Sequence, residues 1–208
     1  MNEYQTMRAR ALELVKARIL GTRKGLENRP NYQHSLRVCG RLEGDEAGQE
    51  VCLAGLLHDV IEDGGVSADE LVEIGFSARV VELVRLSTHP VEIADSTERW
   101  VLMVAKLVLA RDEDAWRIKL ADLTDNMTES AGLLPENQSF MLEVKGPMFL
   151  RLTASYASLE ACRGSLKTEM ELRKARRIAD ADPARSKVDR FSDAFLDALN
   201  SVPREEQY

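Results

Sequence analysis

Apolar residues recur at helical spacing along most of the chain, and Gly and Pro residues separate the segments that carry this pattern. The first segment, residues 4–20, contains neither Gly nor Pro and ends before Gly21. The segment at about 49–60 is apolar nearly all round, which is typical of a helix buried in the centre of a domain. Residues 21–31 contain two Gly and one Pro and are predicted to form a loop. Further helices are predicted at about 32–42, 68–75, 77–86, 97–110, 112–126 and 138–162, the last kinked or split at Gly146-Pro147.

Sustained alternation of apolar and polar residues is missing from the sequence, so we predict an all-α fold of about eight or nine helices. The composition changes after Gly164, where the chain becomes highly charged. We therefore predict a body formed by residues 1–163 and a charged helical C-terminal extension formed by residues 164–208. The body is long enough to bury a hydrophobic core without disulfides.

The charge balance and the distribution of apolar residues exclude several classes of protein. The chain of 208 residues has a formal net charge of −7, which argues against a general nucleic-acid-binding protein but leaves room for a local basic site for a phosphate ligand. No apolar run is long enough for a transmembrane helix, and the charged N-terminus differs from a secretory signal. The three widely spaced cysteines form neither a disulfide framework nor a zinc pair, so a cytoplasmic location fits best.

Candidate chemistry centres on the histidines, of which the chain has only three. His58 is followed at once by Asp59, at the end of the apolar segment. If the helix continued through residue 63, its turn of about 100° per residue would place His58, Asp59, Glu62 and Asp63 within one arc of about 140°. Buried carboxylates need a compensating charge, so a divalent metal ion is the natural inference. His89 precedes a proline and is predicted to lie in a surface loop.

A second polar cluster lies in residues 119–127, Lys-Leu-Ala-Asp-Leu-Thr-Asp-Asn-Met. Asp122 and Asn126 are four residues apart and therefore share one helical face, beside an apolar stripe. This places Asp122 at the edge of the core, where its carboxylate again needs a counter-charge. The predicted loop at 21–31 adds positive charge through Arg23 and Lys24.

The order His34, His58-Asp59, Asp122 resembles the HD-domain metal-dependent phosphohydrolases. The longer strings at 58–63 and 119–127 resemble the hydrolase domain of RelA/SpoT homologues, enzymes that remove the 3′-pyrophosphate from the alarmone (p)ppGpp. This resemblance covers roughly residues 8–163 and implies an HD-domain helical bundle. It also implies a nucleotide-type small-molecule substrate, with homo-oligomerisation left open.

The resemblance also implies roles for individual residues. Glu62 and Asp63 match the pair that positions and activates the attacking water, and Asn126 matches a residue that contacts the substrate ribose. Arg23 and Lys24 match the region that packs on the guanine and the phosphates, while Lys119 is expected to offset substrate charge. The implied ligands of one metal ion are His34, His58, Asp59 and Asp122. Such a mixed nitrogen and oxygen site suits Mn²⁺, Fe²⁺ or Zn²⁺, and the resemblance favours Mn²⁺.

The sequence departs from the RelA/SpoT pattern at several places. Gly64 stands where the family usually has Thr, Ser35 stands where it often has Pro, and the loop before His34 is longer by about two residues. Leu123-Thr124-Asp125 replaces Arg-Leu-His, as in short stand-alone HD proteins. The residues after Arg163 are too few for the synthetase domain of long RelA/SpoT proteins, so no alarmone synthesis is expected.

Three alternatives to a ppGpp hydrolase stay open at this point. The departures from the pattern favour a second hydrolase hypothesis, in which the same site acts on another nucleotide or phosphoester. An HD oxygenase with two irons needs additional His ligands, which a chain with three histidines does not readily supply. A non-catalytic module that senses a nucleotide is the remaining hypothesis.

Overall fold

The computed structural model describes residues 2–23 and 26–181, and these residues form an almost entirely helical fold. The prediction of an all-α fold is confirmed, with ten α-helices in the described part of the chain. The α-helices are α1 (Glu3–Arg18), α2 (Tyr32–Gly44), α3 (Gln49–Leu57), α4 (Ala68–Ile74), α5 (Ala78–Ser87), α6 (Ser96–Ala110), α7 (Glu113–Thr128), α8 (Pro135–Ser139), α9 (Gly146–Leu152) and α10 (Glu160–Ala181). Within these residues, no helix is both long and apolar enough to traverse a membrane.

Helix starts follow the capping signals of the sequence. The Asn2 side chain accepts a hydrogen bond from the Gln5 N–H and begins α1 with a capping box. Ser67 and Ser77 cap α4 and α5 in the same way, each accepting a hydrogen bond from an N–H three residues ahead. Asp112 caps α7 and also pairs with Arg79, so the start of α7 is fixed against α5.

The predicted central helix is α3, whose residues from Val51 to Leu57 are all buried. It contacts α1, α2, α5 and α7, so its nearly uniform apolar surface is covered on several sides. Gly55 allows the close approach of α2, because a Cβ atom at this position would lie 2.2 Å from Leu42 Cδ1. Helix α3 also contacts α7, so the polar residues that follow α3 lie close to the polar cluster of α7.

The structure corrects the prediction that residues 21–31 form a loop. Two short antiparallel strands, β1 (Thr22–Arg23) and β2 (Leu26–Pro30), lie in this segment. A strand of two residues carries too few positions to show an alternating pattern, which is why periodicity failed to detect it.

The segment predicted as one kinked helix at 138–162 is divided further. A π-helical stretch, Phe140–Lys145, joins α8 to α9, and Pro147 lies in the first turn of α9, where its missing N–H matters least. Gly146 is buried and packs close to Met170 of α10. The predicted domain boundary at 163/164 falls inside α10, which packs on α7 through Leu166 and other buried residues. Residues 182–208 lie outside the described residues, so the division into body and extension stays a prediction.

Candidate active site

Helices α2 and α7 bring together the first histidine and two aspartates. His34, in the first turn of α2, is 1% exposed, and its Nε2 atom lies 3.1 Å from Asp122 Oδ1 on α7. On the other side of the imidazole, Nδ1 lies 2.7 Å from Asp125 Oδ2. This second contact fixes the plane of the ring and aims Nε2 at Asp122.

His58 approaches the same point from the end of α3. Its Nδ1 atom donates a hydrogen bond to the Gly55 carbonyl at 2.8 Å, so the neutral ring carries its proton there and directs the lone pair of Nε2 away from the helix. Nε2 is buried and has no hydrogen-bond partner, although Asp59 Oδ1 lies 3.1 Å away. A buried ring nitrogen that faces carboxylates without a hydrogen-bond partner is the arrangement that a metal ion would satisfy.

The four predicted ligands therefore meet in one cluster. Ligand atoms of His34, His58 and Asp59 all lie within 4.8 Å of one another. Asp122 Oδ1 joins them at 3.7 Å from His58 Nε2, in addition to its contact with His34. Two imidazole nitrogens and two carboxylates form a mixed donor set that fits a divalent transition-metal ion.

The electrostatics of the cluster also favour a cation. Burial by itself lowers the pKa of His58, but the carboxylates of Asp59 and Asp122 outweigh it and raise that pKa to about 10. Burial raises the pKa of Asp122, yet Lys119 and the two imidazoles hold it well below its usual range. The site thus stabilises positive charge between its carboxylates, and a metal ion would compete there with protons.

The predicted substrate residues adjoin the cluster through a chain of hydrogen bonds. Lys119, which is 3% exposed, contacts Asp122 Oδ2 at 2.5 Å. Asn126 donates to Asp122 Oδ1 at 2.6 Å, and its own Oδ1 accepts a short hydrogen bond from Arg23 of β1. The structure therefore places Lys119, Asn126 and Arg23 beside the cluster, whereas Lys24 lies outside the described residues.

The predicted catalytic pair follows His58 along the chain, but not on a helix. The α-helix ends at Leu57, and residues 58–64 form consecutive turns, held by the Asp63 N–H donating to the Asp59 carbonyl at 2.8 Å. The helical arc predicted for residues 58–63 was therefore wrong, because the two glycines that follow favour turns over another helical turn. Asp63 lies at the surface, where partial desolvation of its carboxyl group and the charge of Asp59 raise its pKa.

The Glu62 side chain contacts His89, a residue that sequence analysis did not connect with it. Its Oε2 atom lies 2.6 Å from Nδ1 of His89, which follows α5. Burial raises the pKa of Glu62, but the hydrogen bond and the charge of His89 outweigh it and lower that pKa overall. The sequence predicted a surface loop for His89. The residue does lie in the loop after α5, but its side chain is only 22% exposed and is bonded to Glu62.

Sequence reasoning also missed the charged residues behind His34. Asp125, which is fully buried, accepts hydrogen bonds from Arg37 of α2 as well as from His34. Glu129 is nearly as buried and pairs with Arg37 and with Arg23 of the hairpin. Their spacing was a usable signal, because residues three and seven positions after Asp122 lie on its face of a helix.

Comparison with known proteins adds to this geometry. A family model described as "HD domain" matches residues 11–146, which include all four clustered residues. The chain belongs to the HD-domain family. Members of this family that hydrolyse phosphates bind a divalent metal, which agrees with the donor set of the cluster.

Several named proteins are similar to this HD-domain chain. It is 30% identical over 153 residues to the "GTP pyrophosphokinase" of Myxococcus xanthus and 31% identical over 150 residues to the "guanosine-3′,5′-bis(diphosphate) 3′-pyrophosphohydrolase" of Vibrio cholerae. Each match covers 68% of this chain but only 19% and 20% of the relative. The HD-domain chain thus spans about a fifth of the length of the curated relatives it matches.

A solved structure supports the fold. The structure, described as a metazoan orthologue of SpoT that hydrolyses ppGpp, superposes with a TM-score of 0.65 at 22% sequence identity. The match covers 82% of this chain and 95% of that chain. The HD-domain helical bundle predicted from the sequence is therefore confirmed.

Proposed function

We propose that the chain is a metal-dependent phosphohydrolase that removes the 3′-pyrophosphate from ppGpp. The observation that carries the proposal is the buried Nε2 atom of His58, which has no hydrogen-bond partner and faces Asp59, Asp122 and His34. This geometry supports a metal site over a histidine that merely packs in a core. The matches to 3′-pyrophosphohydrolases add support for the substrate.

In this proposal the metal ligands are His34, His58, Asp59 and Asp122, and the ion is Mn²⁺, with Fe²⁺ and Zn²⁺ as alternatives. When bound, such an ion makes water more acidic and polarises a phosphate oxygen. Gly55 and Asp125 orient the two imidazoles through their Nδ1 atoms, so that both Nε2 atoms are directed at the ion.

Glu62 is the proposed proton acceptor. Its lowered pKa keeps the carboxylate ionised at neutral pH, and the side chain is 23% exposed, so water has access to it. Glu62 takes a proton from the water that attacks phosphorus, and the bond between phosphorus and the ribose 3′ oxygen breaks. The leaving 3′ oxygen takes up a proton from solvent, which yields GDP and pyrophosphate. Asp63 lies exposed beside it and orients the water.

The charged substrate is held by cations on the rim of the cluster. Lys119, Arg23 and Lys24 offset the phosphate charge, and Asn126 contacts the ribose. Arg23 is half-buried and already aligned by Glu129, which reduces the ordering that substrate binding requires. A local group of cations in a chain of net charge −7 favours a small nucleotide over nucleic acid as ligand.

The proposal is tested by incubating the chain with Mn²⁺ and, in parallel reactions, ppGpp, pppGpp, GTP and a generic phosphodiester. Release of GDP and pyrophosphate from ppGpp supports the proposal. Activity only on substrates without a 3′-pyrophosphate would select another phosphohydrolase. If ppGpp binds equally to wild type and to the double variant Glu62→Gln/Asp63→Asn while wild type never turns it over, the chain is a binding module.

A further inference from the structure

We propose that His89 is a positioning residue that clamps the Glu62 carboxylate in its reactive orientation, an inference that rests on the proposed role of Glu62. Two nitrogens of His89 converge on one oxygen of that carboxylate. Nδ1 lies 2.6 Å from Glu62 Oε2, and the backbone N–H of His89 donates to the same atom at 3.4 Å. Two donors from one residue restrain both the place and the rotation of the carboxylate.

The backbone that carries His89 is itself held firmly. Thr88 is 7% exposed, and its hydroxyl donates to the Val84 carbonyl at 2.8 Å at the end of α5. From α6, Lys106 donates to the carbonyls of Thr88 at 2.7 Å and of Arg85 at 2.6 Å. Because α5 and α6 both fix the residue before His89, the backbone from which the imidazole reaches Glu62 is held in place.

The clamp leaves the other carboxylate oxygen available. Within the described residues, Oε1 of Glu62 takes part in no hydrogen bond. With Oε2 occupied by His89, Oε1 is the atom that can accept a proton from water. The hydrogen bond also requires Nδ1 of His89 to be the protonated nitrogen whenever Glu62 is ionised and the ring is neutral.

Other charges face Glu62 as well, so its ionisation does not depend on His89 alone. The neighbouring carboxylates and ammonium groups come from the same turn, from α6, from α7 and from the π-helical stretch. They belong to Asp59, Asp63, Lys106, Lys119 and Lys145. Of these contributions and that of His89, the hydrogen bond from His89 lowers the pKa of Glu62 most, against the burial that raises it.

The test compares steady-state kinetics of His89→Ala and His89→Asn with wild type, using Mn²⁺ and ppGpp. His89→Ala removes the side-chain donor, so kcat should fall about tenfold to a hundredfold with KM nearly unchanged. The acidic limb of the kcat profile should move to higher pH, because Glu62 loses the donor that favours its ionised form. Asn can place its amide N–H close to the position of Nδ1, so His89→Asn should recover most of kcat and the original profile.

Val91→Ala is the matched control, since this exposed residue lies in the same loop and has no part in the site. The control should behave like wild type, and all variants should unfold at the same urea concentration. A His89→Ala variant with unchanged kcat and pH profile would overturn the proposal. Equal impairment of His89→Asn and His89→Ala would overturn it as well, because a merely structural role is then sufficient.

A measurement without turnover separates this inference from the proposed function. The chain has three histidines, so ¹⁵N NMR of the Zn²⁺-loaded protein can assign each ring. At a pH where the ring is neutral, His89 should carry its proton on Nδ1, and Glu62→Ala should shift it towards Nε2. If the His89 tautomer is the same in wild type and in Glu62→Ala, the positioning role of His89 is overturned, even in an active enzyme. If the tautomer responds to Glu62→Ala but wild type hydrolyses nothing, the proposed function is overturned instead.

Discussion

His34 Nδ1 lies 2.7 Å from Asp125 Oδ2, so a residue on α2 and a residue on α7 meet through one buried hydrogen bond. The opposite nitrogen of the imidazole faces Asp122 and the other ligands. Arg37 holds Asp125 from the outside, with hydrogen bonds to both of its carboxylate oxygens. The hydrogen bond to Asp125 therefore sets the tautomer of His34, a proposed metal ligand, and directs its Nε2 atom at the other ligands.

Asp125→Asn is expected to weaken metal binding although Asp125 is not a proposed ligand. The amide keeps the shape but removes the charge that makes His34 more basic and fixes its tautomer, so Mn²⁺ affinity should fall by about tenfold to a hundredfold. Titration against a fluorescent chelator measures this change. Asp69→Asn, an exposed aspartate on α4, is the control and should bind like wild type. Equal Mn²⁺ affinity of Asp125→Asn and wild type would contradict this account of His34.

The same carboxylate should leave a signature in the pH dependence of stability. Burial raises the pKa of Asp125, but His34 and Arg37 outweigh it and lower that pKa from 3.8 to about 2. A lowered carboxylate pKa contributes stability above pH 4, and this contribution of about 2 kcal/mol is lost as the pH falls towards 2. Urea unfolding between pH 5 and pH 2 should therefore show a smaller loss for Asp125→Asn than for wild type. Parallel curves would refute this contribution.

Glu129 is expected to hold the β-hairpin on the helical body. Its carboxylate is 3% exposed and pairs with Arg23, Arg29 and Arg37. Glu129→Gln removes the charge that these three arginines share, although Arg37 keeps Asp125, and should lower the free energy of unfolding by about 1–3 kcal/mol, since the arginines are partly solvated. The control is Glu171→Gln, whose side chain is 72% exposed in its pair with Lys174 and which should change little. A Glu129→Gln variant as stable as the control would show that the ion pairs of Glu129 do not hold the hairpin on the helical body.

Gly64, where related hydrolases usually have Thr, should not accept a side chain. A Cβ atom there would lie 2.6 Å from the Val60 carbonyl oxygen and 3.0 Å from Arg18 Cβ. Gly64→Ala should lower the free energy of unfolding by about 1–3 kcal/mol and reduce kcat, because the turn that carries Glu62 and Asp63 must shift.

Gly40→Ala provides the matched control for this prediction. Gly40 lies within α2, and nothing lies within 4 Å of a Cβ atom added there. Alanine at this position should stabilise the helix by about 0.5–1 kcal/mol. Urea unfolding and ppGpp turnover compare the two variants. A Gly64→Ala variant with wild-type stability would show that the turn has room for a side chain.

The helices and the cluster of histidines and aspartates could be predicted from the sequence because both leave local signals. The uniformly apolar stretch around Leu56 predicted the buried α3, and the His58-Asp59 doublet with Asp122 predicted residues that the structure brings together. Their roles as metal ligands stay predictions until an ion is measured.

The misses have physical causes. The helical arc of residues 58–63 required the helix predicted at about 49–60 to continue through Asp63, while Gly64-Gly65 favoured a series of turns. The contact of His89 with Glu62 was missed because the two residues lie 27 positions apart, and such pairs follow only from tertiary packing. Asp125 was noted as a departure from the motif, although its spacing from Asp122 already placed it on the same helical face.

The central claim is tested most directly by restoring activity to chelator-treated protein. Mn²⁺ is titrated into wild type and Asp59→Asn in the presence of ppGpp, and ³¹P NMR follows the products. The account predicts that wild type releases pyrophosphate and GDP in proportion to the added Mn²⁺ until about one ion per chain is bound, while Asp59→Asn stays inactive. Wild-type protein that releases no pyrophosphate at any Mn²⁺ concentration, or an Asp59→Asn variant as active as wild type, would contradict it.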